Sequence, residues 1–180
     1  KEYVKVSIMF YRRGGPEDRW RFLPSDQKEL KQFELDQPEL LANIDKQDPT
    51  GNGFQYAPDI YKFTDKESTQ TSVPILFDTV SKKVVSNESA DIVRMFSMIG
   101  GGFDEKLLPQ IDALNSRIYQ DINNGAYRAG FTSNQASHEE ACANYFRAFD
   151  WLNKILSTKK FLLGDEITEC DIRLFPTIYR

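Results

Sequence analysis

Two short stretches carry the residue types from which a binding site can be built. Thr71-Ser72-Val73-Pro74-Ile75-Leu76-Phe77 sets a proline at the head of an apolar run, and Ser86-Asn87-Glu88-Ser89-Ala90 follows a short way on. Proline has no N–H for a sheet ladder, so Pro74 belongs at a strand's start or edge. With a cis bond before it, Val73 turns its N–H and C=O outward, where an extended peptide can pair with them like an added strand. With a trans bond the pair is an ordinary strand opening; only about 5% of X-Pro bonds are cis. At Glu88-Ser89, a hydroxyl and the open N–H groups of a helix start attract a carboxylate, and Glu88 can receive an ammonium. The alternative is plain N-capping by Asn87 or Ser89.

Reactive side chains are few. The 180 residues contain two cysteines and one histidine. Cys142 falls mid-helix on an apolar stripe and reads as a small buried hydrophobe. Cys170 falls in the first turn of a helix, where a thiolate is favoured, although packing also explains it. The two make neither a disulfide framework nor a metal cluster, which fits a reducing compartment. His138 sits in a charged helix start. No multi-histidine metal site can be built from this chain alone, and any Ser-His-Asp or Cys-His engine would have to use His138.

Composition bounds the rest. Hydrophobic residues make up 40% and aromatics 13%, enough for a real core in one or two domains. Lys+Arg number 23 against 27 Asp+Glu, a net charge of -4, without the clustered basic surface of a nucleic-acid binder. No run of roughly 18 apolar residues marks a membrane span, and no signal or transit peptide is evident. The expectation is a cytoplasmic protein. The chain opens at Lys1 and closes at Arg180 inside an apolar helical pattern, and both ends read as truncations.

The elements that must position these residues follow from patterning. Residues 4–10 alternate like a strand, Arg12-Arg13-Gly14-Gly15-Pro16 is turn chemistry, and Trp20 and Phe22 follow in a loop. Residues 23–55 read as a polar insertion interrupted by Pro38. Residues 58–64 suggest a short helix. Residues 73–77 and 83–85 suggest two strands joined by a turn, and 88–98 a helix with Ile92, Val93, Phe96 and Ile99 at helical spacing. Gly100-Gly101-Gly102 marks a junction. Beyond it Pro109 suits a helix's first turn, Ile111, Leu114, Ile118 and Ile122 trace one face, and Gly125 can end that helix. Ser137-His138-Glu139-Glu140 has a capping-box spacing, followed by a stripe of Cys142, Phe146, Phe149, Leu152 and Leu156. Thr168-Glu169-Cys170-Asp171 repeats that kind of start. The expected domains are an α/β unit over 1–99 and an all-helical unit over 103–180.

On these residues the chain resembles the cytosolic glutathione transferases. Val73-Pro74 with Glu88-Ser89 is similar to their glutathione site, and Thr168-x-x-Asp171 to the capping box of a core helix in their helical domain. Three longer matches resemble one branch, the glutathionyl-hydroquinone reductases or xi-class transferases: Ser86 to Phe96, Ile122-Asn123-Asn124-Gly125-x-Tyr127-x-x-Gly130-Phe131, and Gly164-Asp165-x-Ile167-Thr168-Glu169-x-Asp171-Ile172-Arg173-Leu174. Trp20-Arg21-Phe22 is similar to a Gly-Trp-x-Phe element early in that family. The asparagine-rich motif is the specific one.

The resemblance implies a thioredoxin-like α/β N-terminal part, lacking its first strand and helix, and a truncated all-α transferase domain. It implies thiol transfer: a cysteine thiolate takes the glutathionyl group from a glutathionyl-hydroquinone, and a second glutathione releases glutathione disulfide. Glutathione is then a co-substrate, a quinol conjugate the partner, and no metal is needed. A homodimer is expected. By position Val73 pairs with the glutathione backbone, Glu88 and Ser89 hold its γ-glutamyl end, Trp20 packs beside it, and Tyr127 points its hydroxyl at the quinol oxygens. Pro74, Thr168 and Asp171 are structural. Tyr127 as an interdomain core residue and Trp20 as a plug over the sheet stand as alternatives. The family nucleophile sits in a Cys-Pro-Trp-Ala motif that this chain lacks, and neither cysteine replaces it, so the chain alone is expected to be inactive. Thr69-Gln70 stand where the family carries Gly-Arg, and Pro176 where it has Thr. A non-catalytic glutathione-transferase-like module for protein association is the other reading.

Overall fold

The structure is a computed structural model that describes residues 4–14, 19–22, 28, 30–32, 38–42, 44–45, 47–100 and 104–179. Contacts divide the chain into two compact units, Lys1–Ser89 and Ala90–Arg180. The sequence expectation put the helix after Ser89 with the first unit, inside 1–99. Here it is grouped with the second, where Arg94 on that helix pairs with Asp112 and Glu169.

In the first unit β1 (Phe10–Gly14) pairs antiparallel with β2 (Arg19–Arg21). The strand expected at 4–10 is displaced. Ile8 donates its N–H to the Asp45 carboxylate and its C=O accepts the Asp45 N–H, so its backbone is engaged by a loop. Arg12 to Gly14, expected to turn, are strand; Gly15 and Pro16 lie outside the described residues. Trp20, expected in a loop, lies within β2. Pro38 opens α1 (Pro38–Leu41), a position where its missing N–H costs nothing.

Helix α2 (Ala57–Thr64) begins where Asp59 accepts the Gln55 and Tyr56 N–H groups at 3.1 and 2.8 Å. It buries Ile60 and Tyr61. Strands β3 (Leu76–Asp78) and β4 (Lys83–Ser86) form an antiparallel hairpin. Its turn is pinned by Asp78, which accepts from Val80 N–H, Ser81 N–H and the Ser81 hydroxyl. Phe22, Phe54 and Ile60 form the core, packed by Met9, Ile75, Phe77 and Val84. Burying each large side chain contributes roughly 1.5–3 kcal/mol. The Thr64 hydroxyl accepts the Val84 N–H at 3.0 Å and ties β4 to α2.

The second unit is helical: α3 (Ser89–Gly100, its first residue shared with the unit before), α4 (Leu108–Arg117), a π-helical run from Ile118 to Asn123, α5 (Asn124–Phe131), α6 (Gln135–Leu156) and α7 (Glu169–Tyr179). Pro109 does lie in the first turn of α4. Ile111, Ile118 and Ile122 are buried together with Ala148, Leu152, Leu162, Cys170 and Leu174, and Leu114 packs against them.

Several local expectations change. Gly125 does not end a helix; it lies buried inside α5, where an added Cβ would meet Tyr145 Cδ2 at 3.0 Å. Its lack of a side chain serves helix contact. Helix α6 is capped by Asn134, whose side chain accepts the Ser137 N–H at 2.9 Å, so the start precedes the expected Ser137 box. Its buried face runs through Tyr145, Ala148 and Leu152, leaving Phe146 65% and Leu156 40% exposed. Pro176 lies inside α7, which continues to Tyr179.

Candidate functional site

Ser72 is the anchor of the first unit's candidate site. Its C=O accepts the Tyr61 hydroxyl at 2.8 Å, from the buried face of α2. Its own hydroxyl accepts from the Asn87 side-chain amide at 3.0 Å, and the same amide reaches Gln70 Oε1 at 3.3 Å. Asn87 follows β4 directly and Ser72 precedes Val73, so this pair ties the lead-in of β3 to the residues that open α3. The Val73–Pro74 bond is cis. Val73 is half-buried and Pro74 exposed. No backbone hydrogen bond among the described residues involves Val73.

Beside this lead-in, the Glu88 N–H donates to the Ser86 hydroxyl at 3.1 Å, which turns the chain out of β4. Ser89 then opens α3 with its hydroxyl exposed. A helix start concentrates N–H dipoles and so favours an anion. The Asn87 side-chain NH2 donates to Ser72 and Gln70, whereas capping would use its Oδ1, so the capping alternative for that residue stands. Val73, Glu88 and Ser89 are therefore brought together through Asn87. Trp20 is half-buried in β2, and no hydrogen bond or ring contact among the described residues joins it to them.

Sequence reasoning passed over Ser72, Tyr61 and Asn87 as the scaffold of this site. Asn87 lay within the matched run and Tyr61 on the apolar side of α2. A tyrosine on a buried face needs a partner for its hydroxyl, and that was the available signal.

Tyr127 belongs to the second unit. It lies on α5, 54% exposed, with its ring stacked on Phe131 at 6.1 Å and 3°. It lines an open cleft of about 1100 Å³ between α5 and α6, with Arg117, Arg128, Tyr145 and Arg147 among the lining residues. The preceding Asn123 is held by α7, its side-chain amide donating to the Thr177 hydroxyl and to the Arg173 C=O.

Thr168 and Asp171 form a compact N-terminal cap for α7. The Asp171 carboxylate accepts the Thr168 N–H at 2.9 Å, the Thr168 hydroxyl at 2.8 Å and the Leu162 N–H at 2.9 Å. Cys170 is wholly buried between them and the core, and burial pushes its thiol up to about 11. That makes it a packing residue. No group of three metal-ligating side chains, and no helix long and apolar enough to cross a membrane, is present among the described residues.

Comparison with known proteins adds five matches. Residues 135–180 match the family model described as Glutathione S-transferase, C-terminal domain. The chain is 34% identical over 189 residues to the glutathionyl-hydroquinone reductase PcpF of Sphingobium chlorophenolicum, covering 100% of this chain and 54% of that protein. It is 40% identical over 121 residues to the glutathionyl-hydroquinone reductase YqjG of Escherichia coli, covering 63% of this chain and 37% of that protein. Among solved structures it resembles a Xi Class GST from Natrialba magadii with a TM-score of 0.77 at 29% identity, over 97% of this chain and 52% of that one. The glutathione-bound structure of YqjG matches with a TM-score of 0.72 at 31% identity, over 89% and 50%. The chain spans about half the length of PcpF.

Proposed function

For a chain that belongs to the xi-class branch of the glutathione transferase family, with a thioredoxin-like α/β unit and an all-helical transferase unit, we propose that the first unit holds glutathione. Its protein takes part in reducing glutathionyl-hydroquinones to hydroquinones by thiol transfer. The observation that carries this reading is the Ser72–Asn87 tie. It sets Val73, whose backbone is unpaired among the described residues, beside the Glu88-Ser89 opening of α3.

The roles follow from charge and hydrogen-bonding capacity. The Val73 N–H and C=O pair with the extended tripeptide as an added strand does. The α3 start and the Ser89 hydroxyl receive the α-carboxylate of the γ-glutamyl end, and the Glu88 carboxylate receives its ammonium. Trp20 packs beside the ligand. Tyr127 directs its hydroxyl at the quinol oxygens. The nucleophile is a cysteine of a Cys-Pro-Trp-Ala motif that this chain lacks. It is not Cys170, which is buried with a thiol held up near 11; low-pKa, exposed thiolates are the reacting species.

Calorimetric titration of the 180-residue chain with glutathione tests the holding site. Binding weakened by Ser89→Ala and by Glu88→Gln supports it; binding indifferent to both sinks it. The reaction is read on the product of the full reading frame, as hydroquinone freed from a glutathionyl conjugate. Glutathione binding with no hydroquinone released would favour the association-module reading instead.

A further inference from the structure

The second unit holds a thiol facing a base, on side chains given no role above. His138 lies in the first turn of α6 and Cys142 one turn on, so the two share a face. Cys142 Sγ and His138 Nε2 are 3.5 Å apart. The other ring nitrogen, Nδ1, lies 2.8 Å from the C=O of Ala129 in the last turn of α5. A carbonyl can only accept, so Nδ1 carries the proton of the neutral ring and Nε2 presents its lone pair to the thiol. Nucleophile, base and orienting group thus stand in the order that activated nucleophiles require.

The Ala129 carbonyl is one of the last four of α5, which lack intrahelical partners. The His138 bond therefore joins the Thr132 hydroxyl, 3.4 Å from the same carbonyl, in capping α5, and it also fixes the tautomer that faces Cys142. Capping alone would need only a donor at that carbonyl. It would not call for a thiol at the far nitrogen. Cys142 is half-buried and His138 exposed, so a small reagent can reach the pair from the His138 side. The second cysteine cannot serve as an internal partner, because Cys170 is wholly buried with its Sγ 3.6 Å from the Ile111 carbonyl. Any disulfide at Cys142 is then made with an external thiol compound.

We propose that Cys142, activated by His138, is a site of reversible mixed-disulfide formation with glutathione disulfide. His138 Nε2 takes the thiol proton, and the Cys142 thiolate attacks one sulfur of the disulfide. A new sulfur–sulfur bond forms as the old one breaks. The departing glutathione thiolate takes the proton back from the imidazolium. Cys142 is oxidised, one glutathione is reduced, and nothing else is consumed. The inference stands on α5 and α6 and does not depend on how the first unit holds a ligand.

The test exposes the 180-residue chain to glutathione disulfide and locates adducts by peptide mass mapping. The expected result is an adduct at Cys142, none at Cys170, and reversal by dithiothreitol. His138→Gln should slow adduct formation on the order of tenfold, since the local base sets the thiolate supply. As a control against misfolding of that variant, the native chain is compared with the same chain in urea, where the pair is gone; native Cys142 should react faster. A Cys142 rate equal in native and unfolded chain, or unchanged by His138→Gln in a folded variant, overturns the proposal. Cys142→Ser should abolish the adduct while leaving calorimetric glutathione binding intact, which separates this site from the first.

Discussion

Arg94 grips the Glu169 carboxylate with two nitrogens, Nε to Oε2 at 2.6 Å and Nη2 to Oε1 at 3.1 Å, and extends the same guanidinium to Asp112 at 2.6 Å. Glu169 is buried, with its side chain 2% exposed, and Asn115 and Arg173 complete its shell at 2.7 and 3.5 Å. Hydrogen bonds to the Glu169 carboxylate, then to that of Asp112, raise the Arg94 pKa further above its ordinary value. The pair joins the middle of α3 to the start of α7 within the second unit.

Removing Arg94 leaves a buried carboxylate short of its main partner. Arg94→Met should cost about 2–4 kcal/mol, at the lower end of the range for broken buried pairs because Asn115 and Arg173 still face Glu169. Arg94→Lys should restore little, since an ammonium cannot reproduce the two-pronged grip. Urea midpoints of the three proteins decide this; a lysine variant as stable as wild type would refute the geometric argument.

Gly125 and Tyr145 limit how α5 meets α6. Alanine at 125 would set its Cβ 3.0 Å from Tyr145 Cδ2, and that ring is already held edge-on against Phe149 at 4.9 Å. Alanine gains about 1 kcal/mol in helix propensity, against about 1–3 kcal/mol for overpacking. We expect Gly125→Ala to be net destabilising and Tyr145→Leu to recover part of the loss. Thermal unfolding of the single and double variants measures the coupling, and additive effects would disprove it.

Asp48 makes part of the acid sensitivity. It is 8% exposed, and its carboxylate accepts from the Thr50, Asn52 and Phe54 N–H groups and the Thr50 hydroxyl, folding a loop that includes Gly53 at φ 77°. Burial disfavours its charge. The Thr50 side chain and the Thr50, Phe54 and Asn52 N–H groups together outweigh that, so its pKa falls below 3.8. A carboxylate with a lowered folded pKa stabilises above its unfolded value, and that contribution is lost as pH falls through the folded one. Asp48→Asn should therefore be less stable than wild type at neutral pH, with the gap closing below about pH 4. A gap that stays constant down to pH 2 would show that the charge of Asp48 contributes nothing.

The Asp171 cap gathers three donors, so its loss should exceed that of an ordinary capping residue. Thr168→Ala should cost about 1 kcal/mol. Asp171→Ala should cost more, roughly 2–3 kcal/mol, because the Leu162 and Thr168 N–H groups both lose their acceptor. Guanidinium titrations rank the two; the reverse order would mean that Asp171 is not the hub.

What the sequence disclosed was governed by local rules. The Thr168–Asp171 spacing, Pro109 at a helix start and the Ile111, Ile118, Ile122 face are all decided within a turn or two of helix. Long-range contacts decided the rest. Gly125 carries the composition of a helix end, yet Tyr145, twenty positions on, fixes its use. Residues 4–9 alternate like a strand, yet Asp45 takes the Ile8 backbone. Phe146 and Leu156 fit a helical stripe, yet the buried face is the one through Ala148 and Leu152. In the candidate site, Val73, Glu88 and Ser89 were legible as types. Their tie through Asn87 and Ser72 depends on a hairpin closing between them, which no local pattern encodes.

The π-helical run from Ile118 to Asn123 has a consequence at the level of the gene. Each such turn stores one residue beyond what an α-helix needs over the same rise. A one-codon deletion within α4 would swing everything downstream by about 100°, turning Tyr127 away from its present heading. Within Ile118–Asn123 the spare residue absorbs the loss: the run relaxes to α geometry and both flanks keep their bearing. That segment is the natural place for length variation in this helical run, and a deletion series scored by helical content and melting temperature would map it residue by residue.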